Sequence, residues 1–297
     1  MAEAVLIKPE KLVAIADVIR QNSTEVRAFY LDEIPEKLNE IIGANFASGG
    51  ISILELDESL YPVVVKILGE VVASKALYQS TTLEHVIMSQ DIKKIGENAF
   101  NGCTILEEIT FSEVLEEIGN RAFYSCEKIT LTELPETIKS IGVSAFEMCK
   151  VLALQKLPDS LTTLGNYSFD DCTNLAISTL PSGVKTVPEY CFNQCKGITN
   201  FTIPNTVEKL NKNAFSYCSN MVITEIPASV KTLDSFVFQN CYAITELTFK
   251  GTPESMTSYS LSNMPYLTTL NVPWGEGEIS GAPWGASNAT IYYNSKV

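Results

Sequence analysis

The stretch Leu134-Pro-Glu-Thr-Ile-Lys-Ser-Ile-Gly-Val-Ser-Ala-Phe-Glu-Met-Cys149 contains the pattern that decides the fold of this chain. Its Phe-x-x-Cys ending recurs every 23 residues, without insertion or deletion. The seven copies place phenylalanine at Phe100, Phe123, Phe146, Phe169, Phe192, Phe215 and Phe238, and cysteine at Cys103, Cys126, Cys149, Cys172, Cys195, Cys218 and Cys241. A fixed period of about 20 to 50 residues is typical of solenoids built from stacked repeats. The pattern therefore predicts that each repeat forms one coil of a solenoid.

Within each repeat, further apolar positions keep the same register. Counted from the cysteine, the third and eighth positions are apolar, as at Leu152 and Leu157, and an Ile-Gly step or its equivalent follows, as at Leu164-Gly165. The first two positions predict a short strand that a following proline ends, because proline cannot donate to a strand ladder. The segment x-Ala-Phe-x-x-Cys predicts a helical or 3₁₀ turn on the opposite face of the coil.

The repeats divide into two subtypes that differ in the spacing of their apolar strand residues. One reads L-x-x-I-x-I, as in Leu106–Phe111, and the other reads L-x-L-x-x-L, as in Leu152–Leu157. A regular strand alternates its faces with a period of two and cannot satisfy both patterns. The second subtype therefore predicts a bulge. We expect that bulge to leave four residues partly paired rather than freely exposed: Thr132, Gln155, Ser178 and Thr224.

The two ends of the chain depart from the repeat. Apolar residues at helical spacing predict a helical hairpin over residues 1–46, and residues 47–71 are predicted to form a linker and capping strands. The solenoid is expected over 72–273, with a degenerate first repeat around Leu77 and Ser80, and a cap over 274–297. The predicted fold is thus an α/β solenoid of about nine 23-residue repeats with a parallel sheet.

The composition excludes several classes of function. The formal net charge of −14 argues against nucleic acid and anionic membrane surfaces as partners. The sequence contains no run of about 18 apolar residues, so no membrane-spanning helix is predicted. The first residues show no basic segment followed by a long apolar one, so no secretory signal peptide is expected.

The eight cysteines are consistent with disulfides, a metal site or buried thiols. Neighbouring repeat cysteines could come close enough to bridge, but equivalent side chains that all point inward stack without turning towards one another. Cys191 and Cys195 could face each other on one turn, yet a single C-x₃-C without a second pair is a weak zinc pattern. The favoured interpretation is free thiols that act as small buried apolar groups.

The sequence predicts no enzyme. His85 is the only histidine and has no nucleophile or acid at a spacing that predicts a catalytic triad. No glycine-rich phosphate loop is present. We therefore predict no catalytic residue, no cofactor and no bound metal, and we expect His85 on an outward strand position.

A binding surface is the remaining candidate for a functional site. The seventh position after each cysteine should point outward from the strand, and it is often threonine or charged. Solvated strand residues would account for this column, because threonine is a good strand former; a recognition face for protein or glycan is the alternative. Exposed tryptophans in two Pro-Trp-Gly segments could also stack on a sugar, although a capping role is the simpler interpretation. The candidate residues are Thr110, Glu133, Lys156, Thr179, Thr202, Glu225, Thr248, Trp274 and Trp284.

The full repeat, Leu-x-x-Leu-Pro-x-x-(Ile/Val)-x-x-Ile-Gly-x-x-Ala-Phe-x-x-Cys, closely resembles the BspA-type (Treponema-type) leucine-rich repeat over residues 72–273. This resemblance implies a curved solenoid and a role in binding, because members are commonly bacterial surface proteins involved in adhesion.

The two ends resemble a different group of proteins. The segments 11–20, 31–35 and 41–43 look like a helical opening of tail-associated proteins from phages and prophages of Gram-positive gut bacteria, and residues 271–292 are similar to C-terminal tails from the same setting. The expected protein is therefore a non-enzymatic, tail-associated binding protein, found on the virion or released by lysis. Its partners would be proteins or cell-surface glycans, and the N-terminal helices could form an oligomer. A bacterial surface adhesin or scaffold is the alternative.

Overall fold

A computed structural model describes residues 52–56, 64–81 and 83–296, and there the chain forms a β-solenoid of about ten coils. These residues contain 17 strands and no helix. The prediction of a solenoid with parallel strands is confirmed. The α/β class is not supported, because the described coils are built from strands and turns alone. The predicted helical hairpin of residues 1–46 lies outside the described residues.

The first face of the solenoid, called the long-strand face, carries the strands that were predicted after each cysteine. Apart from one antiparallel pair of strands at its start, neighbouring coils pair in parallel, as in Val86↔Ile109 and Leu247↔Leu270. Its strands are β1 (Ser52–Leu56), β2 (Val64–Leu68), β4 (His85–Met88), β6 (Glu108–Thr110), β12 (Glu225–Ile226), β14 (Glu246–Phe249), β16 (Thr269–Asn271) and β17 (Thr290–Tyr292).

The long-strand face is interrupted between β6 and β12, a stretch that begins with three successive coils of the L-x-L-x-x-L subtype, those of Cys126, Cys149 and Cys172. The next coil, that of Cys195, has the other subtype and forms only isolated bridges with its neighbours. In the Cys149 coil, Leu154 and Leu157 are both buried, and a spacing of three cannot be met by a strand whose faces alternate every two residues. The coils are joined instead by single bonds, such as Ala176 N–H to the Leu154 carbonyl (3.0 Å). The prediction of a bulged strand is therefore wrong, because these coils form no continuous strand here. The four side chains that it was expected to shelter are exposed: Thr132, Gln155, Ser178 and Thr224.

The second face, called the short-strand face, consists of two-residue strands that end at the predicted Ile-Gly step. The first residue of each strand points outward and the second is buried. The strands form two parallel groups. One contains β3 (Val71–Val72), β5 (Lys94–Ile95), β7 (Glu117–Ile118), β8 (Ser140–Ile141) and β9 (Thr163–Leu164); the other contains β10 (Thr186–Val187), β11 (Lys209–Leu210), β13 (Thr232–Leu233) and β15 (Ser255–Met256).

The short-strand face divides between β9 and β10 because of Pro188. In earlier coils the glycine at this position donates its N–H to the coil before it, as Gly165 does to the Ile141 carbonyl (2.9 Å). Pro188 has no N–H to offer to the carbonyl of Leu164, so the ladder stops there. From Asn211 onward the donation resumes, to the Val187 carbonyl (3.0 Å).

The segment x-Ala-Phe-x-x-Cys is not the helical turn that was predicted. Residues with left-handed backbone stand four positions apart, as at Asn98 (φ 56°) and Gly102 (φ 78°), and recur in the following coils. As a result, successive N–H groups point alternately along the solenoid and into the turn: Phe100 donates to the Ala122 carbonyl (2.8 Å), and Cys103 donates to that of Phe100 (3.0 Å). In a helix, these N–H groups would all bond within the segment. The coils would then lose the hydrogen bonds that join this segment to the next coil, which are the third row of such bonds beside those of the two strand faces.

The repeated phenylalanines form the centre of the core. All seven side chains are fully buried, and rings of successive coils stack at 5.1–5.9 Å between centroids with interplanar angles of 3–13°. Leu261 and Trp284 continue the same 23-residue register and are also fully buried.

The cysteines are free and buried, which confirms the interpretation as core thiols. Each repeat thiol donates to the backbone carbonyl 26 residues earlier, as Cys126 Sγ does to Phe100 (3.2 Å) and Cys195 Sγ to Phe169 (3.1 Å). Burial raises the pKa of Cys103 to about 12 and that of Cys126 well above its usual range. The thiols are therefore apolar contacts with one weak donor rather than nucleophiles.

The C-terminal segment forms one more coil instead of a separate cap structure. Its strand β17 pairs in parallel with β16, with Leu270 opposite Ile291. Trp274 packs edge-on against Phe249 (5.2 Å) and Trp284 (5.7 Å). The aromatic bulk that was expected at this end is thus present, but it is packed inside the coil.

Candidate binding surface

The predicted outward column lies on the long-strand face and is called the seventh-position stripe. Six of its seven side chains are exposed and one, Thr248, is half-buried. The stripe crosses successive coils, which in a parallel sheet lie about 4.8 Å apart. Its members are Thr110, Glu133, Lys156, Thr179, Thr202, Glu225 and Thr248.

Contacts between coils bring members of the stripe together. Thr179 bridges to Thr202, and its hydroxyl donates to the Thr202 carbonyl (3.0 Å). Glu225 stands opposite Thr248 in the parallel register of β12 and β14. Lys156 binds Glu136 through an exposed ion pair, which lowers the pKa of Glu136 and raises that of Lys156. The stripe is therefore an ordered row of hydroxyl and charged groups on a fixed backbone.

The two tryptophans do not belong to this surface. Trp274 is 2% exposed and Trp284 is fully buried, so neither presents a face on which a sugar ring could stack. The indole N–H of Trp284 donates to the Ser280 carbonyl (3.0 Å), which fixes the ring inside the last coil. The prediction of a stacking platform is wrong at both residues, because their side chains complete the core.

Exposed tyrosines in the C-terminal coils were not predicted from the sequence. Tyr217, Tyr242 and Tyr266 are 44–58% exposed, and the rings of the last two meet edge-on at 6.0 Å. They stand at different positions of their repeats, before or after the cysteine position, so they do not align in the 23-residue register. The fold nevertheless brings Tyr242 and Tyr266 together across adjacent coils.

A second aromatic pair is aligned with the repeat and could have been found by its spacing. Tyr167 and Tyr190 are 23 residues apart and their rings stack at 4.8 Å with an angle of 6°. Burial, together with Tyr190 and nearby carboxylates, raises the pKa of Tyr167. Burial also raises the pKa of the neighbouring Asp170 to about 6, although Asn193 donates to its carboxylate (2.7 Å).

The groups considered for chemistry have structural partners. His85 is half-buried on β4, and its Nδ1 lies 3.2 Å from the Glu108 carboxylate on the next coil. The Cys191 thiol lies 3.2 Å from the Ser168 hydroxyl, whereas that of Cys195 faces the Phe169 carbonyl. Among residues 64–81 and 83–296, no three histidine, cysteine or acidic side chains form a metal-binding group. The same part of the chain has no helix long and apolar enough to cross a membrane.

A comparison with family models gives one match. The model described as BspA type leucine-rich repeat region, in six copies, matches residues 70–198 and 162–282, which together are more than half of the chain. Its members are leucine-rich repeat proteins, a class that typically binds other molecules and is not enzymatic. No curated protein sequence matches the chain.

Three solved structures of similar proteins can be compared with this chain. The protein from T. pallidum is 25% identical, with 58% of this chain and 88% of that one covered and a TM-score of 0.47. A leucine-rich cell surface protein from Faecalibacterium prausnitzii is 21% identical, with 78% and 79% covered and a TM-score of 0.42. The pneumococcal vaccine antigen PcpA is 16% identical, with 84% and 83% covered and a TM-score of 0.44.

Proposed function

The chain belongs to the BspA-type leucine-rich repeat family, and from that premise we propose that it is a non-enzymatic binding protein of a phage or prophage tail. Its partner would be a protein or a cell-surface glycan on the bacterium that the particle meets. The protein would act on the virion, or outside the cell after lysis. The seventh-position stripe would form the recognition surface.

The stripe is the observation that supports a binding role most directly. Its backbone is held by bonds between coils, as in the Thr179–Thr202 bridge, so the exposed side chains keep fixed spacings. A rigid row of this kind loses little conformational entropy when it binds, which is a large part of the cost of recognition. Threonine hydroxyls can both donate and accept, and the stripe adds one positive charge at Lys156 and two negative charges at Glu133 and Glu225.

The tail association rests on the ends of the chain. The segments at 11–43 and 271–292 resemble those of tail-associated proteins, and the repeat family does not account for the first of them. In the proposed arrangement, the N-terminal segment attaches or oligomerises the protein, and the solenoid projects the stripe away from the point of attachment. Proteomic analysis of density-purified particles from an induced lysogen should find the chain in the particle fraction. Its presence only in the soluble lysate would contradict the tail assignment.

A binding screen with variants tests the surface. The purified full chain is applied to cell walls of Gram-positive gut bacteria, to glycans and to host matrix proteins, and bound protein is measured. Thr202→Arg, within the stripe, should weaken binding about tenfold or more by adding bulk and charge at an exposed point. Thr186→Arg, also exposed but on the short-strand face, is the matched control and should leave binding unchanged. Equal binding by both variants would exclude the stripe as the recognition surface.

A bacterial surface adhesin or scaffold that binds host proteins or glycans is the second candidate. The BspA-type repeat itself favours it, since that family is the part of the chain with a direct match. Gene neighbourhood separates the two: flanking tail, holin or lysin genes support the first candidate, and an isolated gene preceded by a leader sequence supports the second. If the protein is an adhesin, it should bind host matrix proteins in the binding screen and not bacterial cell walls.

A further inference from the structure

An open groove runs along the short-strand face of the N-terminal coils, on a different surface from the stripe. We call it the glycine groove. It has a volume of about 450 Å³, which lies within the range of ligand-binding clefts. Glycines from four successive coils form its floor, and outward side chains two positions earlier and one position later form its sides. The floor is Gly96, Gly119, Gly142 and Gly165; the sides include Lys94, Glu117, Ser140, Thr163, Glu97, Asn120 and Val143.

Glycine is needed at these positions because adjacent coils approach closely. Since the glycines carry no side chains, the groove above them stays open. A Cβ atom on Gly142 would lie 2.6 Å from the backbone nitrogen of Asn120, and one on Gly165 would lie 2.3 Å from that of Val143. The equivalent positions of the later coils carry side chains: Pro188, Asn211, Asp234 and Thr257. The groove therefore has a defined end, at the coil where Pro188 also stops the backbone ladder.

The backbone of the groove floor is already hydrogen-bonded. Gly119 donates its N–H to the Ile95 carbonyl (2.8 Å), and its own carbonyl accepts from Ala122 (3.3 Å). Gly142 and Gly165 make the same two bonds with their neighbours. An extended peptide that binds by strand addition needs unpaired main-chain donors and acceptors. The groove offers none on its floor, which argues against a peptide strand as its occupant.

The side chains that remain available are mainly neutral and polar. Lys94 and Glu117 face each other at 2.8 Å and neutralise one another, which leaves Glu97 as the remaining charged side chain of the lining. The groove therefore has no unpaired cation to attract an anion. Asn120 accepts the Val143 N–H through Oδ1 (2.8 Å), which leaves its NH₂ group free to donate. The Ser140 hydroxyl makes no hydrogen bond within the described residues, and that of Thr163 has only a distant neighbour, Thr162 Oγ1 at 3.5 Å.

We propose that the glycine groove binds a neutral, linear polysaccharide that lies along the solenoid axis. Hydroxyl groups on the sugar both donate and accept, which matches the free hydroxyls of Ser140 and Thr163 and the free amide of Asn120. The coils repeat about every 4.8 Å, close to the length of one pyranose ring, so two neighbouring sugars would meet the hydroxyls of Ser140 and Thr163 on successive coils. The proposal rests on the proposed function only in taking the chain to be a binding protein, and it names a ligand class for a second surface.

Calorimetric titration of the full chain tests this directly. The probes are linear glucan, mannan and galactan, with polygalacturonate as the anionic comparison. We expect at least one neutral polymer to bind and polygalacturonate to bind more weakly. Ser140→Arg, which fills the groove from an outward position, should weaken that binding about tenfold or more. Thr186→Arg occupies the equivalent position beside Pro188, outside the groove, and should bind like the unmodified protein.

The outcomes separate this proposal from the proposed function. If none of the neutral polymers binds, or if Ser140→Arg binds them as well as Thr186→Arg does, the groove is not a glycan site. Loss of glycan binding in Thr202→Arg alone would assign that binding to the stripe and overturn the groove. Conversely, loss in Ser140→Arg alone supports the groove even if the stripe has no ligand. Circular dichroism of each variant confirms that the solenoid is intact.

Discussion

At the scale of single residues, the stacked phenylalanines are the largest concentration of buried apolar surface. Phe169 lies between Phe146 (5.5 Å) and Phe192 (5.7 Å), in coils that are fixed by backbone ladders on several sides. Phe169→Ala should lower the free energy of unfolding by about 3–5 kcal/mol, because the neighbouring rings cannot move to fill the cavity. Urea unfolding measures this, with Thr186→Ala as control, since Thr186 is exposed and its hydroxyl makes no hydrogen bond within the described residues. A loss below about 1 kcal/mol would contradict the rigid stack.

A half-buried carboxyl, that of Asp170, makes stability depend on pH. The pKa of Asp170 is about 6 in the folded protein, above its ordinary value of 3.8, so the fold favours the protonated form. The contribution is fully present below about pH 3.8 and is lost as pH rises through 6. Asp170→Asn should therefore remove a decline in the urea midpoint between pH 4.5 and 7. The control Asp159→Asn, at an exposed position, should retain that decline; the same profile in both variants would exclude Asp170 as its source.

At the scale of elements, the Ile-Gly step sets how closely two coils approach. Gly142→Ala should lower the free energy of unfolding by about 1–3 kcal/mol, because the new methyl group would press on the Asn120 backbone. Asn211→Ala is the matched comparison, since that position already carries a side chain and its amide makes no hydrogen bond within the described residues; its effect should stay within about 0.5 kcal/mol. Equal effects in chemical denaturation would show that the close approach is not required.

The period predicts the inward residues well and the turns poorly. A Phe or Leu that recurs every 23 residues must meet its equivalent in the next coil, so the core could be derived from spacing alone. The spacing in Ala-Phe-x-x-Cys also fits one turn of helix. The residue types at the left-handed positions that break this helix do not predict such a conformation. Tyr167 (φ 60°) and Tyr190 (φ 55°) occupy a conformation that bulky side chains rarely adopt. Contacts between coils, which sequence propensities do not describe, hold them there.

The exposed surface was predictable only in part. The stripe follows from strand alternation, and the structure exposes most of it. Trp284 was misplaced because two similar Pro-Trp-Gly segments suggest one shared role, although only Trp284 falls in the phenylalanine register. The glycine groove could not be predicted from the sequence. Glycines that recur at one position of the repeat indicate a turn, but they do not show that the side chains on either side enclose a groove.

At the scale of the whole molecule, each coil depends on the coils beside it, so the last one protects the rest. Deleting residues 274–297 would remove Trp274 and Trp284 and uncover Phe249 and the edge of β16. We expect a free energy of unfolding lower by about 3 kcal/mol or more and self-association through the new edge. Urea unfolding and size-exclusion chromatography measure both. Deleting only residues 296–297 is the control, and a stable monomer after the longer deletion would contradict a protective role.

The hydrogen bond from each cysteine thiol to the carbonyl of the previous coil has a consequence for how such a chain changes over generations. Every interior coil from Cys126 to Cys241 offers the same acceptor on one side and the same donor on the other. An in-frame duplication of one coil's coding sequence therefore produces a copy whose thiol and carbonyl find the same partners in its neighbours. Unequal recombination in whole coils preserves this contact, whereas its effect on the short-strand ladder and the glycine groove depends on which coil is copied, since both end at Pro188.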